Sequence, residues 1–215
     1  MKAVIFDMDG VLINSMHDHI LAAQKAFNEY GVHPSYEEIA LMEGMAFSEI
    51  ADTILAKYSV YISKDESDEL IKRKKEILDE LFRFEVYENV IDILDFLKGK
   101  GIRLALVTGT HRRFVEKIIN HFPGFFDTIV TSSDVENSKP SPEPYIQAAN
   151  KLSVDDIIVI ENAPLGIESA KAAKLTTFAL ETTLNRKHLK DADRLFSNHK
   201  ELLQYFRSLE YDKDN

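Results

Sequence analysis

The chain opens on an apolar run, Val4-Ile5-Phe6, that stops abruptly at Asp7-Met8-Asp9-Gly10 before Val11. A run this short and this apolar reads as a buried strand, and its end delivers two carboxylates into a Gly-containing turn. From Ser15 to Tyr30 the spacing changes: Ile20, Leu21, Ala23, Ala26, Phe27 and Tyr30 recur near the helical period, and Gly31 stops them. Pro34-Ser35 followed by Glu37 and Glu38 signals another helix start, Gly44 interrupts, and Ile50, Ile54 and Leu55 carry a further helical stretch. A long charged helix is expected from about Lys64 to Phe82, with the run Lys72-Arg73-Lys74-Lys75 read as a solvated face. The span from Asn14 to Phe84 therefore reads as helix without a strand.

Past Val86-Tyr87 the pattern alternates. A helix through Ile91, Leu94, Phe96 and Leu97 ends at Lys98-Gly99-Lys100-Gly101, and a compact strand follows from Ile102 to Val107. Helix 112–121, strand 127–131, helix 142–152, strand 156–160, helix 165–174 and strand 176–180 continue the series. Strands that alternate with helices imply parallel βαβ units. The expected fold is α/β: a doubly wound, Rossmann-like parallel-sheet core from residues 1–13 and 85–215, with an α-helical cap, 14–84, inserted between linkers near 12–16 and 82–87. No internal repeat interrupts the pattern, and the tail from about Tyr211 reads as disordered.

At 215 residues, 45% hydrophobic and 29% charged, the chain has the composition of a globular protein with one sizeable core. A formal charge of -10 disfavours nonspecific binding to nucleic acid or to an anionic membrane, so a phosphorylated substrate would need local cations. Zero cysteines exclude disulfides and thiolate metal sites. The first apolar run is far shorter than the roughly 20 residues of a membrane span, and no secretory signal is evident, so a cytoplasmic location is expected. With no long apolar heptad, a monomer is expected.

Ligands of open parallel sheets gather outside the carboxyl ends of the strands. Asp7 and Asp9 suit a hard, oxygen-seeking cation such as Mg2+. Strand 103–107 ends in Thr108-Gly109-Thr110, a hydroxyl and open backbone amides before a helix, fit to hold a phosphoryl oxygen. In Ser138-Lys139-Pro140-Ser141-Pro142 the prolines fix a lysine at a helix start, where its ammonium can neutralise a nucleophile and a transferring phosphoryl group. Ile160-Glu161-Asn162-Ala163-Pro164-Leu165-Gly166 again closes an apolar strand with oxygen donors.

FDMDGVLINS resembles the first motif of the haloacid dehalogenase (HAD) superfamily, in its branch of helical-cap phosphatases and phosphomutases, and KPSPEPY resembles its third. The resemblance implies that Asp7 is the nucleophile that becomes an aspartyl phosphate and that Asp9 is the general acid and base. It implies catalytic Thr108 and Lys139, phosphate binding by Thr108, Gly109 and Lys139, and Mg2+ held by Asp7, Asp9 and the acidic motif at Glu161-Asn162. Asn162 departs from that motif, which usually has a second acid there, and whether Glu161 or Asn162 meets the metal stays open. An acid at Asp9 favours phosphate esters over dehalogenation.

His19 and Lys74 fall where the β-phosphoglucomutase-like branch carries cap residues, and His17 and His19 also read as hinge or surface histidines. Where that branch grips a second phosphate with a cap arginine, the loop Glu43-Gly44-Met45-Ala46-Phe47 offers Phe47, equally a core residue. The function expected is magnesium-dependent hydrolysis of a small phosphorylated metabolite, sugar phosphates among them. A phosphomutase and a phosphate-binding regulatory protein without turnover are the alternatives.

Overall fold

The computed structural model describes residues 1–211; the tail expected to be disordered lies outside them. Among these residues six parallel strands form one sheet in the order β3-β2-β1-β4-β5-β6: β1 Ala3–Phe6, β2 Arg103–Val107, β3 Thr128–Val130, β4 Ile157–Glu161, β5 Thr176–Leu180 and β6 Arg194–Phe196. Helices α1 Met16–Asn28, α2 Tyr36–Ala40, α3 Phe47–Lys57 and α4 Lys64–Leu81 all fall between β1 and β2. The later helices are α5 Val90–Gly99, α6 Arg112–Ile119, α7 Glu143–Leu152, α8 Pro164–Ala172 and α9 His199–Tyr211.

The strands are apolar on both faces because both are covered. Val4, Phe6, Leu104, Leu106, Ile158 and Ile160 point to one face and pack on α5, α6 and α9, whereas Ala3, Ile5, Ala105, Val107 and Val159 point to the other and pack on α7 and α8. That two-residue alternation is the pleat of a strand, and its double burial is why the runs read as continuous hydrocarbon. In register, Phe6 lies opposite Leu106 on one side and Ile160 on the other. The residues that follow these strands therefore emerge together at one end of the sheet.

The helices α1 to α4 enclose an apolar cluster of their own, with α1 packed chiefly on α4 and Ile20, Phe27, Ile54 and Leu70 fully buried. Two capping boxes fix their starts: Ser35 with Glu38 opens α2 and Ser63 with Glu66 opens α4, each serine oxygen accepting from the glutamate amide while the glutamate accepts from the serine amide. The two connections run side by side. Asn14 N–H donates to Glu85 O at 2.8 Å and Tyr87 N–H to Leu12 O at 3.2 Å, so the chain leaves and re-enters the sheet at one place.

The expected elements appear with small changes of boundary: β2 starts at Arg103, α4 ends at Leu81 and α6 at Ile119. Two elements have no counterpart in the sequence reading. Strand β6 is three residues long and too short for a periodicity, while α9 is amphipathic and buries Leu202, Leu203 and Phe206 against the sheet. Among the described residues no helix is long and apolar enough to cross a membrane.

Phe27 is the largest side chain buried among these first helices and stacks at a tilt on Phe47, centroids 5.8 Å apart. Phe27→Ala should cost about 3–5 kcal/mol, the usual penalty for emptying an aromatic site. Chemical denaturation with a helix signal checks this, and a loss under about 1 kcal/mol would show that α1 and α4 do not form a packed unit.

Candidate active site

Asp7 directly continues β1, its N–H donating to Ile160 O at 3.0 Å. Lys139, on the segment before α7, reaches it from below: Nζ donates to Asp7 Oδ1 at 2.6 Å and to Glu161 Oε1 at 2.7 Å. Tyr145, in the first turn of α7, donates its hydroxyl to the same Glu161 oxygen at 2.5 Å and places its ring 5.1 Å from the ammonium. Glu161 Oε2 accepts the amides of Asn162 at 2.9 Å and Ala163 at 3.3 Å. Both oxygens of Glu161 are thus occupied in holding Lys139 and its own loop. A Cβ at Gly166 would fall 1.9 Å from Glu161 Oε1, so only glycine lets α8 start beside that carboxylate.

Burial alone would lower the Lys139 pKa, but the carboxylates of Asp7 and Glu161 outweigh it and hold the ammonium well above its ordinary value. Burial pushes the Asp7 carboxyl up, to about 8, with Lys139 opposing the shift and Glu161 and Asp9 adding to it. The cluster is short of positive charge.

Asp9 stands at the other side of the turn with both oxygens oriented. Ser15 Oγ donates to Oδ1 at 2.6 Å, and Thr110 Oγ1 donates to Oδ2 at 3.0 Å, with Thr108 Oγ1 at 3.5 Å. The turn that follows the two aspartates uses Gly10 at φ +78°, where a Cβ would also strike Asn162 Nδ2 at 2.2 Å. Thr182 Oγ1 donates to Gly10 O at 2.6 Å and pins the turn from β5.

These groups form the floor of a cavity of about 260 Å3 whose opposite wall is built from α1 to α4. That wall is largely hydrocarbon, with Ile20, Ile39, Met45 and Ile50, and carries His19, Lys74 and Glu43 among them. Lys74 Nζ sits 5.2 Å from the Phe47 ring centroid and 3.4 Å from His19 Nδ1. Burial, followed by the Lys74 charge, lowers the His19 pKa to about 4, so the ring is neutral near pH 7 and its 3.9 Å approach to Asp9 is no ion pair. Burial lowers Lys74 to about 8, partly offset by Asp9 and Asp79.

The residues expected from sequence therefore converge: Asp7, Asp9, Thr108, Gly109, Lys139 and Glu161 line the cavity from the sheet, and His19, Phe47 and Lys74 line it from the helices. His17 is exposed and stacks on Tyr36 instead. The basic run on α4 divides: Lys72 and Arg73 pair with Glu69, Glu76 and Glu29 at the surface, while Lys74 turns inward, which corrects its reading as part of a solvated face. Tyr145, Ser15, Thr110 and Glu43 have no assigned role in the sequence reading. Tyr145 carried a signal, standing in the lysine motif as a buried-sized polar residue.

A cation's fit can be tested on Asn162. It is fully buried, its Nδ2 donates to Glu43 Oε1 and Thr183 Oγ1, both at 2.9 Å, and its Oδ1 has no hydrogen-bond partner. An orphaned amide oxygen beside carboxylates suits Mg2+, which takes neutral and charged oxygens alike. No three His, Asp or Glu side chains form a ready-made cation site among the described residues.

A six-stranded parallel sheet with a helical insertion after its first strand, and acids, threonine and lysine at the strand ends, defines a doubly wound, Rossmann-like α/β core with its candidate site at the carboxyl ends of the strands. The chain belongs to the haloacid dehalogenase-like hydrolase family, whose sequence pattern it matches over residues 4–180. It is 31% identical over 183 residues to the phosphorylated carbohydrates phosphatase of Thermotoga maritima, covering 80% of this chain and 82% of that one. It is also 31% identical over 200 residues to the chloroplastic protein SUPPRESSOR OF QUENCHING 1 of Arabidopsis thaliana, covering 89% of this chain but spanning only 19% of that protein's length. A solved structure from Bacteroides vulgatus, provisionally assigned as a β-phosphoglucomutase, matches with a TM-score of 0.88 and 30% identity over 98% of this chain and 89% of that one.

Lys74 also has a measurable cost. A lysine whose pKa falls from 10.5 to about 8 on folding binds fewer protons folded than unfolded, so its penalty is fully present below pH 8 and fades as pH rises towards 10.5. Lys74→Met should stabilise the protein at pH 7 by on the order of 1–3 kcal/mol, the gain shrinking with rising pH. Denaturation series at pH 7 and pH 10 check the sign, and a gain independent of pH would refute it.

Proposed function

We propose that this protein is a magnesium-dependent phosphatase of small phosphate monoesters, sugar phosphates in particular, acting through an aspartyl phosphate on Asp7. The observation that carries the reading is the pairing of Asp7 with a buried Lys139 at 2.6 Å, while a separately oriented Asp9 stands two residues away. The name of the Thermotoga relative supports the substrate class.

An Asp7 oxygen attacks phosphorus as the ester oxygen leaves, and Asp9 donates the proton that the leaving alcohol needs. Asp9 then takes a proton from water as that water attacks the acyl phosphate, which frees inorganic phosphate and restores the Asp7 carboxylate. Lys139 and the Thr108-Gly109 segment hold the phosphoryl oxygens, and the fixed ammonium stabilises charge that spreads onto them. Asp7, Asp9 and Asn162 would hold Mg2+, with Glu161 anchoring Lys139; the ion supplies Lewis-acid neutralisation of the phosphoryl oxygens. Helices α1 to α4, the 14–84 cap, close the site to water and select the alcohol. The protein works as a monomer.

A second reading, a phosphomutase, is favoured by the Bacteroides structure and by Lys74 and His19 in the cavity wall. Against it, Phe47 stands where a second phosphate would need a cation, and the Lys74 ammonium that lies 5.2 Å from its ring centroid has its pKa lowered by burial to about 8. Phosphate release from a panel of phosphorylated sugars and polyols, with Mg2+ and with EDTA, tests the proposal. Turnover only when a bisphosphate primer is supplied, with no phosphate released, would assign the mutase instead.

Asp7→Asn should abolish turnover and leave the fold intact, because an amide keeps the shape but cannot form an acyl phosphate. Activity near that of the parent would remove Asp7 as nucleophile. Asp9→Asn should slow alkyl phosphates by about 100-fold or more, the usual scale for losing a general acid and base. Aryl phosphates, whose leaving groups need no proton, should suffer less, and an equal loss for both esters would mean that Asp9 serves the turn rather than the leaving oxygen.

A further inference from the structure

We infer that Glu43, carried by the cap, supplies the carboxylate that the metal site lacks at Asn162, so that one divalent cation is shared between cap and core. This rests on the magnesium requirement proposed above. Glu43 sits in the loop between α2 and α3 and crosses to the sheet: its Oε1 accepts from Asn162 Nδ2 at 2.9 Å, and its Oε2 is buried with no hydrogen-bond partner. Asn162 Oδ1, on the other end of the same amide, is buried and unpartnered as well. Two orphaned oxygens on adjoining side chains have no donor between them. A buried acceptor left unpaired is destabilising, and a cation that accepts six oxygens satisfies both.

The surrounding charges point the same way. Glu43 faces the carboxylates of Asp7, Asp9 and Glu161 around the same cavity. Lys139 is already committed to Asp7 and Glu161. Were residue 162 an acid, its oxygen would lie against the Glu43 carboxylate at hydrogen-bond distance and repel it. As an amide it donates to that carboxylate and keeps a second oxygen for the ion. The loop is also seated closely: a Cβ at Gly44 would come within 3.2 Å of Lys139 Cβ, so Glu43 is set by main chain resting on the catalytic lysine.

Calorimetric titration of the parent, Glu43→Gln, Asn162→Asp and the double variant with Mg2+ in the absence of substrate tests this, with Mn2+ magnetic resonance as a second readout of bound ion. Glu43→Gln keeps the contact with Asn162 and should weaken Mg2+ about 10-fold or more, the scale seen for loss of a metal-site partner. The double variant, with the acid moved back to the core, should recover affinity to within about threefold of the parent. Undiminished binding in Glu43→Gln, weakening that the double variant does not recover, or no Mg2+ binding by the parent would each overturn the inference. Parallel phosphate release from p-nitrophenyl phosphate separates this from the proposed function: a parent that turns over with Mg2+ while Glu43→Gln binds it normally loses only the role of Glu43.

Discussion

Everything at the carboxyl end of the central strands depends on one buried ammonium between two carboxylates. Lys139 is 4% exposed and can stay charged there only because Asp7 and Glu161 flank it at 2.6 and 2.7 Å. Removing one member of such a group leaves uncompensated charge in a low-dielectric interior, a cost of about 3–5 kcal/mol, so the three residues must be delivered together. The register does this. Phe6 opposite Ile160 puts Asp7 and Glu161 at one level on adjacent strands, and the segment before α7 drops the lysine between them. Tyr145 and the missing side chain at Gly166 fix the far carboxylate so that Asp7 is left as the oxygen facing the cavity.

The cap divides the labour of the site. Its wall is mostly hydrocarbon, while the carboxylates, threonines and lysine of the proposed chemistry stay on the sheet side of the cavity. Lys74 is its cation, partly desolvated over the face of Phe47, and neutral His19 beside it can hydrogen-bond a hydroxyl without adding charge. A ligand with one phosphate on the floor and hydroxyls or apolar surface above matches that distribution.

Most of this was legible in the sequence. The strands were readable because burial on both faces makes them continuous apolar runs, and the site because its residues fall where those runs end, as at Asp7, Thr108 and Glu161. Strand β6 was not, since three residues carry no period, whereas α9 does carry the helical spacing in Leu202, Leu203, Phe206 and Leu209 and is absent from the sequence reading all the same. Lys74 was misread for a different reason. A run of four bases looks uniform along the chain, yet α4 turns by about 100° per residue and sends one of the four inward. Glu43 was hidden for the same kind of cause: it lies far from the strand ends in sequence, and only folding of α1 to α4 over the sheet brings it to Asn162.

The departures from the family pattern become intelligible as pairs across the cavity. An acid absent from the core at Asn162 faces an acid present in the cap at Glu43. A cation absent from the cap loop at Phe47 has the Lys74 ammonium lying over its ring. In both cases a charged side chain on one element lies against the uncharged group on another, at the wall of the same cavity. What a phosphate site requires is a field of the right sign at the transferring group, and that field is set by where charges sit in space rather than by which element carries them. A motif records the element. Here the inserted helices set Glu43 and Lys74 in the wall of the cavity that Asp7, Asp9 and Lys139 line from the sheet, so both sides contribute to that field.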